Sequence, residues 1–508
     1  MSSLLARHRR VHPWHSRRLA GGVFLVLALG AGVLLGRLSP LEGVFLVALV
    51  SCAVGTCVEP LVGVAAGAGL GLARAYLHAE VPQLPEQLGQ GFILLALAVW
   101  VARGLRERHV EISTSPLLVA LGLFLGAALL SLWEPVELAA YTVPEFLKWV
   151  QLVLVFLLVS QTLSARGLPW LVGALVLIGL TEAGVGLWQF GVRGTGPDHF
   201  AIASLGEGFY RAYGSFEQPN PYAGYLGLIL ALALGAALGA WWGRPRPPHG
   251  VRHGRWPIAA VVCATAVLVL AAALIASWSR GAWIGMAAAL LMMAVALPRR
   301  AGWGLALMVV LIAAGLGLAA LRLLPTSVLA RLTGFWDYIR FEDVRGVGIN
   351  DANYAVLERF AHWQAALAMF RSHFWTGVGI GGYEPAYPAY ALINWPFALG
   401  HAHNFYLTVA AETGLVGLLA FAGLWAVIFW QTWRATRLTT GFARGLAVGL
   451  LGAWTHLSVH HLLDNLLVNN VHLTLGILLG ILGFITRGLA VGQEHNQIRA
   501  AGTRAHPS

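Results

Sequence analysis

Apolar residues fill this chain in long runs, and polar residues gather in the short breaks between them. A helical run of about 20 apolar residues matches the hydrocarbon thickness of a bilayer. On that pattern about 14 transmembrane helices are expected. They lie near 19–36, 41–57, 60–77, 91–105, 116–133, 146–164, 169–190, 221–242, 257–276, 282–297, 302–323, 404–431, 445–461 and 467–487. One interval breaks the rhythm. Residues 324–403, roughly 80 in number, hold no such run, and a connection of that length carries structure or function of its own. Within it "NDANYAVLERFAHWQAALAMFRSHF" (350–374) has apolar residues at helical spacing. This predicts an amphipathic helix, with Asp351 as N-cap, lying on the outer membrane surface or over a cavity. The next stretch, "GVGIGGYEPAYPAY", is rich in turn residues. Its glycines do not make a dinucleotide fingerprint, because they follow a helix and not a strand.

Composition strengthens this reading. Of the 508 residues, 58% are hydrophobic and only 11% are charged, against about 25% charged in a soluble domain. Mean hydropathy is +0.71. The net charge of +11 does not call for nucleic acid, since a membrane protein collects arginine on its cytoplasmic loops. With the N-terminus inside, the inner loops hold Arg7–Arg18, Arg103–Arg108, Arg166, Arg244–Arg255, Arg299 and Arg300, Arg434–Arg444 and Arg487–Arg504, while the outer "WEPVELAAYTVPE" is acidic. The alternation predicts an even number of spans with both termini cytoplasmic. The expected organisation is eleven spans over 1–323, an extracytoplasmic loop with its amphipathic helix over 324–403, three spans over 404–487 and a cytoplasmic tail over 488–508. Cys52, Cys57 and Cys263 all fall in apolar runs and read as small hydrophobes. The basic start runs into an apolar segment with no small-residue cleavage pattern, so it reads as a retained first span.

Three polar features then need a reason, and the topology places all of them on the outer face. Arg211 lies in the aromatic stretch "FYRAYGSFEQPNPYAGYL", Arg280 interrupts two spans in "ASWSRGAWIG", and His401, His403 and Asn404 open the span that begins "HAHNFYLTVAAETG". Each has an ordinary alternative: a snorkelling arginine, a loop arginine, an interfacial histidine. Together they suit one chemistry. Two guanidiniums grip a diphosphate by paired charge-assisted hydrogen bonds. A neutral imidazole takes a proton from a sugar hydroxyl, and a helix N-terminus favours the neutral ring. Glu412 would fall about 13 Å from His403 along a regular helix and on its opposite face, which suits packing or hydrogen bonding better than orienting the imidazole. His456, His460 and His461, with Asp464, have only weak metal-ligand spacing, so no metal and no cofactor is expected.

At "RAYGSFEQPNPYAGYL", "SWSRGAWIG", "WQAALAMFRSHFWTGVGIGGYEPAY", "HAHNFYLTVAAETGLVGLL" and, more weakly, "HHLLDNLLVNNVHLTLGILLG", the chain resembles the O-antigen ligase and O-antigen polymerase superfamily of bacterial membrane glycosyltransferases. "LTEAGVGLWQF" also fits, and these stretches together span about 170–485. The resemblance implies an all-α polytopic fold in the bacterial plasma (inner) membrane. It implies a metal-independent, inverting transfer of a glycan from undecaprenyl diphosphate to an acceptor hydroxyl on the outer face, in cell-surface polysaccharide or lipopolysaccharide biosynthesis. It makes His403 the general base with His401 as second choice, gives Arg211 and Arg280 the diphosphate, and lets Asn404 orient His403 or cap its helix. The acceptor would be a glycan, a lipid or a protein. A ligase is expected, with a polymerase or a protein O-oligosaccharyltransferase as alternatives. The competing non-enzyme reading is a lipid-linked sugar transporter, which would not gather Arg211, Arg280 and His403 in one cluster.

Overall fold

The computed structural model describes residues 39–81, 84–108, 114–133, 135–243, 256–323, 325–333, 343–350 and 353–504. The described residues are helical apart from loops and one isolated bridge between Ala201 and Tyr210. The helices are α1 (Pro40–Val58), α2 (Pro60–Leu72), α3 (Arg74–Glu80), α4 (Leu88–Glu107), α5 (Pro116–Leu130), α6 (Val143–Thr162), α7 (Gly167–Leu187), α8 (Pro219–Trp242) and α9 (Trp256–Ala276). They continue as α10 (Arg280–Ala296), α11 (Ala301–Ala320), α12 (Thr326–Thr333), α13 (Tyr354–Ser372), α14 (Phe405–Leu438), α15 (Gly441–His460) and α16 (Val471–Arg504).

Every apolar run expected from 41 onward coincides with helix. The count of spans does not follow, however. Among the described residues 7 helices are long and apolar enough to cross a membrane, or up to 8 if the pair α2 and α3, bent by 67°, is one span. Helices α1, α5, α9 and α10 are apolar but short over their described residues. The first expected span, the loop at 244–255 and Asp351 lie outside the described residues. Helix α13 begins at Tyr354 with Asn353 at the N-cap position. The Asn353 side chain accepts from the Asn350 N–H (2.9 Å) and donates to the Gly348 carbonyl (2.9 Å) instead of capping its own helix.

The tightest helix pair, α8 and α15, sets the positions of the polar residues. Gly235 and Gly239 on α8 face Gly445 and Gly449 on α15. A Cβ on Gly235 would stand 2.5 Å from the Gly449 Cα, and one on Gly239 would stand 2.7 Å from the Phe442 carbonyl oxygen. Small residues four apart let two backbones touch, which is how apolar helices gain dispersion energy where lipid offers no hydrophobic drive. The same contact continues along α15. A Cβ on Gly285 of α10 would stand 2.9 Å from the His456 carbonyl oxygen, and one on Gly281 would stand 2.5 Å from His460 Cδ2. Helices α8, α10 and α15 therefore meet with almost no side-chain spacer. Their facing ends carry Asn220, Arg280 and the segment just after His460.

The "ETG" of α14 is a break. Gly414 has φ 63° and ψ −163° inside the helix. The N–H groups freed there are taken by the glycine-rich loop: Leu415 donates to the Phe374 carbonyl (2.8 Å) and Val416 to the Trp375 carbonyl (3.3 Å). In return Val378 donates to the Ala411 carbonyl (2.9 Å). Gly377 (φ 71°), Gly379 (φ 96°) and Gly381 (φ 74°) let that loop pass against the break, and a Cβ on Gly377 would run into the Glu412 backbone. Glu412 is buried and its carboxylate accepts from the Tyr383 N–H (3.3 Å). It thus ties the loop to α14, as its face of the helix suggested. Docking the loop here holds α13 over the N-terminal end of α14.

Candidate functional site

The segment before α14 is wound tightly. Leu399 (φ 51°), Gly400 (φ 77°) and His403 (φ 51°) all lie in the left-handed region, which costs a non-glycine residue about 1–2 kcal/mol. Local hydrogen bonds hold the turn. Asn404 Oδ1 accepts from the Leu407 N–H (3.1 Å) and so caps α14; it does not reach an imidazole. Thr408 Oγ1 accepts from the Ala402 N–H (3.2 Å) and donates to the Asn404 carbonyl (3.1 Å). His401 Nδ1 accepts from the His403 N–H (3.0 Å). The turn leaves both imidazoles facing the segment that follows α15.

There they meet Asp464. His403 Nδ1 lies 3.5 Å and His401 Nε2 lies 3.7 Å from Asp464 Oδ1. The other carboxylate oxygen accepts from Asn220 Nδ2 (2.7 Å), and Oδ1 also accepts from the Asn465 N–H (2.9 Å). Burial opposes charge on Asp464, but the facing His403 and His401 and the Arg359 charge outweigh it and hold the carboxyl well below its ordinary range. His401 is pushed down to about 4, chiefly by burial, with Asp464 opposing. It is therefore neutral at pH 7. The ligand atoms of His401, His403 and Asp464 lie within 4.8 Å of one another, a set that a divalent cation would fit by spacing alone.

A second group forms the wall beside Asp464. Arg211, Arg280, Arg331 and Arg359 line one cavity of about 220 Å³, with Asn220 and Ser279 among its other polar residues. Arg211 is set by the loop before α8: its Nε donates to the Ser277 carbonyl (3.0 Å) and its Nη2 to Asn220 Oδ1 (2.9 Å). That loop hangs from α7 and the turn after it. Glu182 accepts from Ser215 Oγ (2.7 Å), and Gln189 both accepts from the Gly214 N–H (2.7 Å) and donates to its carbonyl (2.8 Å). Arg280 opens α10 behind the N-cap Ser279. Arg331 donates to the Trp278 carbonyl (3.1 Å), and Arg359 to the Leu463 carbonyl (3.3 Å). Burial, then the charges of Arg331 and Arg359, push Arg211 down to about 9, which leaves it cationic at neutral pH. No Asp or Glu lines this cavity among the described residues.

The two groups are joined by one polar chain. Arg211 donates to Asn220, Asn220 donates to Asp464, and Asp464 faces His403. On the other side of His403 stands His362, edge-on at 5.5 Å between ring centroids. His362 stacks on Tyr387 at 4.7 Å and its Nδ1 lies 2.9 Å from the Tyr383 hydroxyl. Burial first, then the neighbouring histidines, push His362 down to about 3, so it too is neutral.

The comparison with known families now bears on these residues. Residues 264–422 match the family described as O-antigen ligase. Over that segment the chain is similar to an O-antigen ligase domain. That match supports an enzyme of ligase or polymerase type, acting in a membrane on a lipid-linked glycan and an acceptor. No curated protein matches the chain. The ligase match contains Arg280, Arg331, Arg359, His362, His401, His403 and Asn404, and it excludes Arg211, Asn220 and Asp464. The structure brings all of these together.

Sequence reasoning singled out Arg211, Arg280, His401, His403 and Asn404 and weighed Asp464 without assigning it. It missed Arg331, Arg359, His362 and Asn220. One signal for two of them was present: Arg359 and His362 are polar residues three apart on an otherwise apolar helical stripe, and so share a face.

Proposed function

We propose that this ligase-type protein is a metal-independent, inverting glycosyltransferase of the bacterial inner membrane. It moves a glycan from undecaprenyl diphosphate to an acceptor hydroxyl on the outer face, with both termini cytoplasmic. The observation that carries the reading is the continuous link from the four-arginine cavity through Asn220 and Asp464 to His403.

Each part then has a chemical task. The donor diphosphate enters the arginine cavity, where planar guanidiniums match its paired oxygens. Asp464 faces His403 Nδ1 at 3.5 Å and favours the proton on that nitrogen, which leaves the lone pair on Nε2 for the acceptor. As the acceptor oxygen attacks the anomeric carbon from the face opposite the phosphate, its proton passes to His403 Nε2. The bond from the anomeric carbon to the phosphate oxygen breaks, and the electron pair leaves with the diphosphate. Fixed arginine charges stabilise that developing anion without reorganising, a contribution worth about 10²–10³ in rate for a single donor of this kind. The leaving group needs charge compensation and no proton, so one base suffices. The metal-independent reading draws on the same charges: the arginines already supply what a cation would add, and Asp464 is engaged by Asn220 and Asn465.

The test is product analysis with purified protein and a radiolabelled undecaprenyl-diphosphate oligosaccharide, with and without candidate acceptors. One transfer to an added acceptor is the expected result. A ladder of longer lipid-linked chains would make the enzyme a polymerase. Movement of the glycan lipid across vesicles, unaffected by His403→Ala and without transfer, would replace the reading with transport.

A further inference from the structure

A second polar cavity lies at the far end of α14 from His403. It also measures about 220 Å³, and Ser160, Gln161, Gln431, Arg434, Thr486 and Arg487 line it. Arg434 comes 20 residues after the break at Gly414, about 30 Å along the unbroken second part of the helix at 1.5 Å per residue. Under the proposed orientation this is the inner leaflet. The floor is apolar, with Phe156, Leu157 and Leu489. No Asp or Glu lines the cavity among the described residues.

Two features separate this place from a pair of arginines reaching for headgroups. First, both cations are held in place. Arg487 donates to Gln161 Oε1 (2.9 Å), and the Arg434 guanidinium lies 4.9 Å from the Trp430 ring centroid. Second, Gln431 is only 5% exposed, and its Oε1 is buried with no hydrogen-bond partner. A buried acceptor without a donor costs about 1–3 kcal/mol. A ligand with an O–H group would remove that cost. The cavity therefore asks for an anion and a hydroxyl donor in one small group, above an apolar floor.

We propose that this cavity binds the headgroup of a phosphodiester lipid that carries a free hydroxyl, as in phosphatidylglycerol. The phosphate sits between Arg434 and Arg487, a headgroup hydroxyl donates to Gln431 Oε1, and the acyl chains leave over Phe156 and Leu489. The site is separate from the transferase centre and independent of its assignment.

The full chain, purified in detergent, is titrated with dihexanoyl phosphatidylglycerol, and bound lipid is counted by native mass spectrometry. One saturable lipid is expected. Dihexanoyl phosphatidylcholine, whose quaternary headgroup has no donor, binds at least about tenfold more weakly. Arg434→Gln and Arg487→Gln each weaken the glycerol lipid about tenfold, the loss of one charge-assisted contact. Gln431→Leu removes the preference for phosphatidylglycerol over phosphatidylmethanol, which has the same charge and no hydroxyl. If Arg434→Gln does not fold, Arg434→Lys reads the same contact as a smaller loss, because lysine keeps the charge without the fork. Equal binding of the choline lipid, or arginine variants that bind as the wild type does, would overturn the proposal. Equal binding of the deacylated headgroup, glycerophosphoglycerol, or of inorganic phosphate would overturn the lipid source and leave a soluble phosphate ester in its place.

Discussion

His403 sits 3.5 Å from one oxygen of Asp464, which the Asn465 N–H holds at 2.9 Å, while Asn220 holds the other at 2.7 Å, so two residues fix the carboxylate that faces the imidazole. Replacing His403 with alanine removes the base and should lower transfer about 10²–10⁴-fold, while the protein still reaches the membrane. Retained transfer in membranes that contain the variant would reject the role. A variant at His401 separates two readings by pH. Because burial holds it near 4, it stays neutral above about pH 5 and contributes no titration there. His401→Gln should leave the acid limb of the kcat/KM profile in place. A shift of that limb would move the base assignment to His401. For the arginines, Arg280→Lys keeps the charge and loses the planar contact, so turnover should fall by at least about tenfold. Full activity of that variant, measured at saturating donor, would remove Arg280 from the diphosphate site.

At the scale of elements, two backbone arrangements place these side chains. One is the broken α14. An alanine at 414 would have to adopt φ 63° and ψ −163°, a region open essentially to glycine alone, at a cost of about 1–3 kcal/mol, and its methyl would strike the Trp375 carbonyl. Gly414→Ala should therefore lower the melting temperature and release the 374–383 loop, which limited proteolysis would detect as new cleavage there. Unchanged protease resistance would show that the loop is held by other contacts. The other arrangement is the glycine seam of α8 and α15. A leucine at Gly445 meets the backbone of Gly239, separates the helices, and pulls Asn220 away from Asp464. Such a variant should lose activity even though it changes no residue of the site.

For the whole molecule, charge is the organising quantity. Four arginines share one cavity near the buried Asp464, so the site is electropositive before the donor arrives. Chelators should leave transfer unchanged under this reading. Strong inhibition by EDTA, reversed by one added divalent ion, would assign the His401, His403 and Asp464 set to a metal. The long apolar faces match the sequence pattern closely: only 6% of the apolar window of α11 is buried inside the protein, as expected of a helix whose other neighbour is lipid.

Hydrophobic run length determined the helices, because lipid forces every backbone group into intrahelical hydrogen bonds wherever the chain crosses it. The same pattern isolated 324–403, put Arg280 and His403 at helix ends and put Arg211 in a loop between two helices, where polar residues interrupt apolar ones. It did not yield the number of true spans, since run length alone cannot separate a crossing helix from a short buried or bent one such as α2 and α3. Nor did it yield Asn220, Arg331, Arg359 and His362. Arg359 and His362 share a polar face of α13, but what that face meets is not written in their own stretch, and Asn220 gains meaning only from a partner far away in sequence: it meets Asp464 across 244 positions. Such pairings are set by which helix backbones can touch. That was decided by the glycine seam and the break at Gly414, and so by tertiary packing.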